Sequence, residues 1–585
     1  MKKIASELLV ERLIEWGVDT VFGLPGDGIN GIMEALRRNR DRIRFVLVHH
    51  EEAAAFMATG HAKATGQIGV CLATSGPGGI HLLNGLYDAK LDHQPVLALT
   101  GMQETQLLGT GYQQEVHLEK LFEDVASYDV MIHTPAQIPS LVDLAVRNCL
   151  ANRTVSHITF PNDVQIADAE TPPPGGPAPA RAPASAPVFI PAPGVPREAD
   201  LRRAADVLNA GKKVAILAGA GALGATAELR QVATALGAPI VKTLSGKGCF
   251  PDDDPLAVGG IGLLGTDAGE ASMELCDTLF MVGTNFPYTK HLPSSARTVQ
   301  VDISAFRAGN RVPTEVPLVG DARETLAALA PLLKSRRKHR FLEERQEEMR
   351  HWREKLETQA DPSRTPIQPQ YLMALIDRHA SNDAILSSDS GTIATWAARQ
   401  WTIRGDRRFM LSGNLATMAP GLPYTLAAQL AFPERQCIAF VGDGGFAMLM
   451  AEFLTAVRHD LPVKVFIDNN HSYGQILWEQ MVLGYPEYGV RHNGIANYAD
   501  YAQSNGGLAF RIDDPADLEA AVKAALDHPG PALVDCLTNA NEPPLPAKVT
   551  YEQAKGFAEA FLRGQPHKAT IASTLFRDKL AELKA

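Results

Sequence analysis

The chain reads as α/β, with three doubly wound parallel-sheet domains in succession. Three observations predict this. Its 585 residues exceed what one hydrophobic core accommodates, since single cores stop growing beyond about 250–300 residues. Short apolar runs of strand length alternate with helix-period segments in three separate stretches, the rhythm of a parallel sheet covered on both faces. Two segments unsuited to a sheet, one rich in proline and one densely charged, separate those stretches.

The first stretch, 1–170, offers "FVLVHH" (45–50), "GVCLAT" (69–74) and "PVLALTG" (95–101) as strands. In "TPPPGGPAPARAPASAPVFIPAPGVP" (171–196) the prolines block helix and central strand alike, so 171–197 is expected to be an extended surface linker. The second stretch, 198–335, offers "VAIL" (214–217), "PIVKTL" (239–244), "TLFMVG" (278–283) and "TVQVDI" (298–303). Within a second linker at 336–366, "SRRKHRFLEERQEEMRHWREKLE" (335–357) predicts a charged helix facing solvent. The third stretch, 367–545, offers "AILSSDSG" (384–391), "QCIAFVGDG" (436–444), "VKVFIDNN" (463–470) and "PALVDCLT" (531–538), and 546–585 forms a C-terminal tail. The first and third stretches share a rhythm without sharing a repeated sequence.

Composition excludes several classes. A net charge of −11 with no strongly basic block argues against nucleic acid as the main partner, because neutralising phosphates needs clustered Lys and Arg. Cys71, Cys149, Cys249, Cys276, Cys437 and Cys536 are scattered without a C-x-x-C pair, which disfavours a disulfide framework and a zinc site and fits a reducing cytoplasm. The N-terminal "MKKIASELLVERLIEWG" carries charge throughout its apolar pattern, unlike a signal peptide. No stretch approaches 18 consecutive apolar residues, so no membrane span is expected.

The informative stretch is "VGDGGFAMLMAEFLTAVRHDLPVKVFIDNNHSYG" (441–474), which sets Asp443 between glycines at one strand tip and Asn469–Asn470 at the next. Open α/β sheets bind ligands at the carboxyl ends of their strands, so the two tips converge on one site. Gly442 and Gly444 allow a sharp turn and close ligand approach, and a helix expected to start near Phe446 presents free N–H groups to an anion. A carboxylate, an amide oxygen and diphosphate oxygens together suit Mg²⁺.

"GDG", 24 intervening residues and "NN" resemble the metal and diphosphate motif of thiamine-diphosphate enzymes. The resemblance implies Asp443 and Asn470 as side-chain ligands of Mg²⁺ and Ser472 as a carbonyl ligand, with Gly26, Gly442, Gly444 and Gly445 among the cofactor contacts. "VHHEEAAAF" (48–56) resembles the segment whose acid bonds the cofactor's aminopyrimidine, which nominates Glu51 over its neighbour Glu52. A zinc-binding H-E-x-x-H reading fails there because the second histidine is missing. "GNLATMAPGLP" (413–423) resembles the segment in which a large side chain, here Met418, props the cofactor and a carbonyl near Ala416 bonds its amine. Read without that motif, Met418 is a core residue. The resemblance names the three domains pyrimidine-binding, central FAD-binding-like and thiamine-diphosphate/Mg-binding. It implies that Glu51 reaches the cofactor across a subunit interface, hence a homodimer or homotetramer.

The resemblance covers nearly the whole chain and is closest to pyruvate oxidase and the quinone-dependent pyruvate dehydrogenase, with acetolactate synthase also similar. "SGPGGIHLLNGLYDAKLDHQPVLAL" (75–99) nominates His81, "YQQE" (112–115) the pocket amide Gln114, and "YGQILWEQ" (473–480) Glu479 near the reacting carbon. Gln113 and Gln475 stand where those oxidases carry Phe, so two aromatic walls have become amides that demand hydrogen-bond partners.

"VAILAGAGALGATAEL" holds Gly219, Gly221 and Gly224 in a dinucleotide-like loop, but the next strand ends without the acid an NAD site needs. The resemblance implies FAD instead, contacted by that loop, by Thr284 and Asn285, and by Asp302 and Asp321. "NEPPLPAKVTYEQAKGFAEAFL" (541–562) resembles the quinone-dependent enzyme, whose tail binds lipid. Here "IASTLFRDKLAELKA" (571–585) is only loosely amphipathic, with Lys579 inside the arc of Leu575, Phe576 and Leu583, so a packed terminal helix is expected before a peripheral contact at the inner membrane face. The implied activity is oxidative decarboxylation of a small 2-oxo acid, pyruvate first, with electrons passed to FAD and then to quinone or oxygen. Carboligation of the acetolactate synthase type is the alternative. A catalytically silent assembly protein is a third, opposed by the intact Glu51, Asp443 and Asn470.

Overall fold

The structure is a computed structural model that describes residues 2–170, 186–336, 338–492, 494, 496–546 and 550–584. Most of the proline-rich linker and the side chains of Lys579 and Leu583 lie outside the described residues.

Three six-stranded sheets follow one another along the chain, and every strand pair in them is parallel. The first holds β1 (Thr20–Gly23), β2 (Arg44–Leu47), β3 (Gly69–Ala73), β4 (Val96–Met102), β5 (Ala126–Met131) and β6 (Val155–Pro161), in the order β2-β1-β3-β4-β6-β5. The middle sheet holds β7 (Val214–Ala218), β8 (Ile240–Lys242), β9 (Ala257–Gly260), β10 (Thr278–Val282), β11 (Arg297–Asp302) and β12 (Val316–Val319), in the order β12-β11-β10-β7-β8-β9. The third holds β13 (Ile385–Ser388), β14 (Arg408–Met410), β15 (Cys437–Gly442), β16 (Lys464–Asn469), β17 (Leu508–Ile512) and β18 (Ala532–Leu537), in the order β14-β13-β15-β16-β18-β17.

Counted from its own first strand, the third sheet repeats the first sheet's order position for position. The middle sheet differs: read from its β9 edge it runs 3-2-1-4-5-6, the dinucleotide-binding order, with a topological switch point between β7 and β10. Both orders put ligand crevices at the carboxyl ends of the strands.

Strands buried on both faces are continuous apolar runs, as in β3, β7 and β10, where every residue is buried. Seven strands carry no such signal, and five of them (β5, β9, β12, β14, β17) are sheet edges. Edge strands are half exposed, so their sequences are mixed; β12 alternates buried and exposed along its length. Of the two interior ones, β1 is only four residues long and β6 is broken by the buried polar Ser156, His157 and Thr159.

The first and third domains share one hydrophobic core, to which Ala54, Ala58 and Leu86 contribute from one and Leu422, Leu426 and Phe446 from the other. The helix Glu51–Thr65 packs on the helix Gly421–Ala431 so closely that a Cβ at Gly60 would lie 2.8 Å from the Tyr424 Cα. The charged helix Arg340–Gln359 departs from the solvent-facing expectation, because Phe341, Leu342, Arg345 and Trp352 form a buried face on it. At the C-terminus, helices Tyr551–Leu562 and Lys568–Lys584 pack on helix Gly474–Val482, with Ala560 and Ile571 buried against Leu477, Trp478 and Met481. Among the described residues no helix is long and apolar enough to cross a membrane.

Candidate active site

Strand β15 ends at Gly442, and the helix Asp443–Leu449 begins at once, three residues before the expected start at Phe446. Pairing of Gly442 with Asp468 sets the tips of β15 and β16 side by side. A Cβ at Gly444 would lie 2.7 Å from the Tyr473 ring, so only glycine lets the segment after β16 lie against this turn. A Cβ at Gly442 would meet nothing within 4 Å, which leaves its backbone open to a ligand.

Asp443 is 3% exposed, and its one ion-pair partner among the described residues is His492, 3.9 Å away. Burial, reinforced by the charges of Asp468 and Asp535, pushes the Asp443 carboxyl up to about 8. Burial also pulls His492 down, so that imidazole supplies little compensating charge. Asn470 Oδ1 accepts from the backbone N–H and the hydroxyl of Ser472, at 3.0 and 2.9 Å, and His471 between them holds a left-handed φ of 52°. Asn469 instead donates to Asp535 at 2.7 Å. An under-compensated buried carboxylate beside an amide oxygen and a fixed carbonyl is a donor set that fits a hard divalent cation such as Mg²⁺.

A second cluster forms on the first domain. Glu452 reaches across from the third domain, and one of its carboxylate oxygens accepts from the backbone N–H groups of His49 and His50, at 2.9 and 3.1 Å. That clamp fixes the turn from which the helix Glu51–Thr65 starts. Glu51 is buried with Oε2 2.9 Å from His81 Nδ1, and the His50 ring stacks on His81 at 4.6 Å between centroids. Glu52 turns to the exposed side and accepts from Asn84 at 2.6 Å, so the two acids face different surroundings.

Gly78 backs Glu51, Gly26 packs on Thr74 at the end of β3, and Gln114, at φ 62°, lies against Gly76. Gln113 is exposed beside it. Ala416 and Ala419 flank the half-buried Met418 with left-handed φ of 56° and 77°, backbone strain of the kind that persists only where the surroundings hold it. The cluster of Glu51, His81 and Gln114 shares no hydrogen bond or ion pair with Asp443, Asn470 or Ser472 among the described residues.

A cleft of about 2480 Å³ opens between the domains. Gly221, Gly224, Thr284, Asn285, Asp302 and Asp321 line its middle-domain wall, and Ala416, Gln475 and Glu479 line it from the third domain. Gly219 lies outside the lining, because its role is contact with the tip of β10, where a Cβ would come within 2.5 Å of Thr284. Asn285 Oδ1 is buried without a hydrogen-bond partner among the described residues. Asp302, raised by burial, accepts from the Ser304 N–H at 2.9 Å, while Asp321 caps the helix Ala322–Leu329. A switch-point crevice with an unsatisfied acceptor and two acids fits a dinucleotide. Gln475 donates to Glu479 at 2.9 Å, so this amide has found its partner on its own helix.

Residues 4–121 match the thiamine pyrophosphate enzyme N-terminal TPP binding domain, 201–329 the central domain, and 389–536 the C-terminal TPP binding domain. The chain belongs to the thiamine pyrophosphate enzyme family. It is 39% identical over 561 residues to a thiamine pyrophosphate-containing protein, YdaP, of Bacillus subtilis, covering 96% of each chain. It is 32% identical over 551 residues to pyruvate oxidase of Lactiplantibacillus plantarum, covering 93% of this chain and 90% of that one. To the large subunit of acetolactate synthase isozyme 3 of Escherichia coli it is 30% identical over 542 residues, covering 89% and 92%. It is thus a thiamine pyrophosphate-dependent enzyme.

In this thiamine pyrophosphate enzyme the motifs give no hint of several buried groups that hold the site. Asp389 lies at the tip of β13, where its Oδ1 accepts from Gly421 N at 2.8 Å and its carboxylate also takes the Ala419 N–H; burial pushes it up to about 7. Lys63 donates to Asp92 at 2.7 Å, Asp88 at 3.3 Å, the Leu411 carbonyl at 2.7 Å and the Tyr424 hydroxyl at 2.8 Å. Asp92 in turn accepts from the N–H groups of Gly413 and Asn414, both at 2.8 Å, so the first domain grips the segment that carries Ala416 and Met418. The available signal was "DAKLD", two acids four residues apart at the end of the helix Leu83–Leu91.

Proposed function

We propose that the enzyme catalyses oxidative decarboxylation of a small 2-oxo acid, pyruvate first, with electrons passed to FAD and then to quinone or oxygen. Asp443 and Asn470 would hold Mg²⁺ by their side chains and Ser472 by its carbonyl, with Gly442, Gly444 and Gly445 along the diphosphate. When bound, thiamine diphosphate supplies the carbon nucleophile and the electron sink for loss of CO₂, and FAD takes up the electron pair. Glu51 exchanges a proton with the aminopyrimidine, and its contact with His81 gives that proton a route outward. His81, Gln114 and Glu479 orient the oxo acid. The absence, among the described residues, of a hydrogen bond or ion pair between the Glu51 cluster and the Asp443 cluster supports a homodimer or homotetramer in which one protomer's first domain meets its partner's third.

The observation that supports the oxidative reading is a cleft running from the β7–β10 switch point to Gln475 and Glu479, in which a bound flavin would reach the residues proposed to orient the oxo acid. Under anaerobic conditions, excess pyruvate should bleach the flavin absorbance of the purified enzyme and yield acetate. A colourless protein, or a flavin that stays oxidised, rules the reading out. Carboligation of the acetolactate synthase type is the second reading, favoured by Gln113 and Gln475 at positions where aromatic walls are expected. Acetolactate as the product would establish it.

A further inference from the structure

The cluster around Glu51 has a property that the thiamine reading does not use. One ligand-type atom from each of His50, Glu51 and His81 lies within 4.8 Å of the other two, and this is the only such group of His, Cys, Asp or Glu among the described residues. Two imidazoles and a carboxylate make a borderline donor set that favours Zn²⁺ or Co²⁺, in contrast to the oxygen donors around Asp443.

The spacing fits a shared ion. Donors each about 2.0–2.1 Å from one tetrahedral metal sit about 3.3 Å apart, and His81 Nδ1 and Glu51 Oε2, now hydrogen-bonded at 2.9 Å, need only a small opening to reach that spacing. His50 is held beside them by ring stacking on His81 and by the Glu452 clamp on its backbone N–H. Its Nδ1 also accepts from the Glu52 N–H at 3.1 Å, so coordination through this ring gives up one cap bond. The His81 side chain is 43% exposed, which leaves an entry path and an open coordination position for water. All six cysteines are buried, so no thiol competes at the surface.

We infer that His50, Glu51 and His81 form a site for a borderline divalent cation such as Zn²⁺, and that an ion there withdraws Glu51 from the thiamine cofactor, so that the loaded enzyme cannot turn over. The first part stands on geometry alone, and the second rests on the role proposed above for Glu51.

The test is calorimetric titration of the full-length protein with Zn²⁺ in excess Mg²⁺, for the wild type and for His50→Gln, His81→Gln and the control His133→Gln. One Zn²⁺ per chain is expected, with affinity reduced about tenfold or more by either of the first two substitutions and unchanged by the third. Turnover of the cofactor-loaded enzyme should fall as Zn²⁺ fills the site, while the Kd for thiamine diphosphate stays unchanged. Absence of stoichiometric binding, or equal Zn²⁺ affinity in wild type and both variants with unaltered circular dichroism, overturns the site. Zn²⁺ binding that depends on both histidines but leaves turnover unchanged upholds the site and overturns the Glu51 assignment instead.

Discussion

Replacing Lys63 with Met removes the one cation from a closed set of buried groups while keeping most of the side-chain volume. In the intact protein the Lys63 ammonium is shared between Asp88 and Asp92, and both carboxylates are buried. Removing one partner of a buried pair costs about 3–5 kcal/mol, because the remaining charge is left desolvated. Here the loss falls unevenly. Asp92 keeps Gly413 N, Asn414 N and Asn414 Nδ2 as donors, whereas Asp88 keeps the hydroxyls of Ser412 and Tyr424 and is already pushed up to about 6 by burial. Asp88 therefore takes up a proton in the variant and Asp92 stays charged, which puts the cost at the low end, about 3 kcal/mol. Lys63 holds that carboxyl down, so without it Asp88 rises further above about 6, and Lys63→Met should gain stability relative to the wild type as pH falls from that raised value toward the unfolded value of about 4. Lys90→Met is the control, since the Lys90–Asp124 pair is exposed and worth at most about 1 kcal/mol. Native-state hydrogen exchange reads the effect directly: peptides covering 411–419 should lose protection by about 3 kcal/mol in Lys63→Met and remain unchanged in Lys90→Met. Equal protection of that segment in both variants would refute the gripping role assigned to the network.

Other outcomes follow from the same geometry. Glu51→Gln should lower turnover by about 10²–10⁴-fold while thiamine diphosphate and Mg²⁺ still bind, because Asp443, Asn470 and Ser472 are untouched; steady-state kinetics with calorimetry checks both halves. Asp389, raised to about 7 by burial, binds its proton in the folded chain before the unfolded chain does, so stability falls as pH rises from about 4 to about 7. Asp389→Asn should flatten that fall by up to about 1.4 kcal/mol per pH unit in urea titrations at pH 5 and 7, and parallel slopes would show that the carboxyl titrates normally. Gln113→Phe/Gln475→Phe should shift substrate preference toward pyruvate over more polar 2-oxo acids, and an unchanged ratio of kcat/KM values would remove the amides from specificity.

How much of this is legible in the sequence depends on how far apart the interacting residues are. Asp443 and Asn470 can be read because each ends an apolar run and their spacing is set by one strand–helix–strand unit, so a local pattern carries the whole inference. Interior strands are read for the same reason, since burial on both faces leaves an uninterrupted apolar signature, while edge strands such as β12 and β14 are half exposed and lose it. The proximity of Glu51 to His81 spans 30 residues and is still carried by motif resemblance.

The groups that hold the site in place lie on a different scale. Lys63 meets Tyr424 across 361 positions and His49 meets Glu452 across 403, so neither residue is marked by anything in its own neighbourhood. Their energetic logic is nonetheless simple. A buried lysine or glutamate persists only where partners repay its desolvation, and in both cases the partners include backbone or side-chain groups of the other thiamine-binding domain beside those of its own. These contacts fasten the first and third domains of one chain along the helix Glu51–Thr65 and the segment 411–419, behind the two clusters. Among the described residues, Glu51, His81 and Gln114 share no hydrogen bond or ion pair with Asp443, Asn470 or Ser472, the arrangement a proposed homodimer needs if each protomer completes its partner's site.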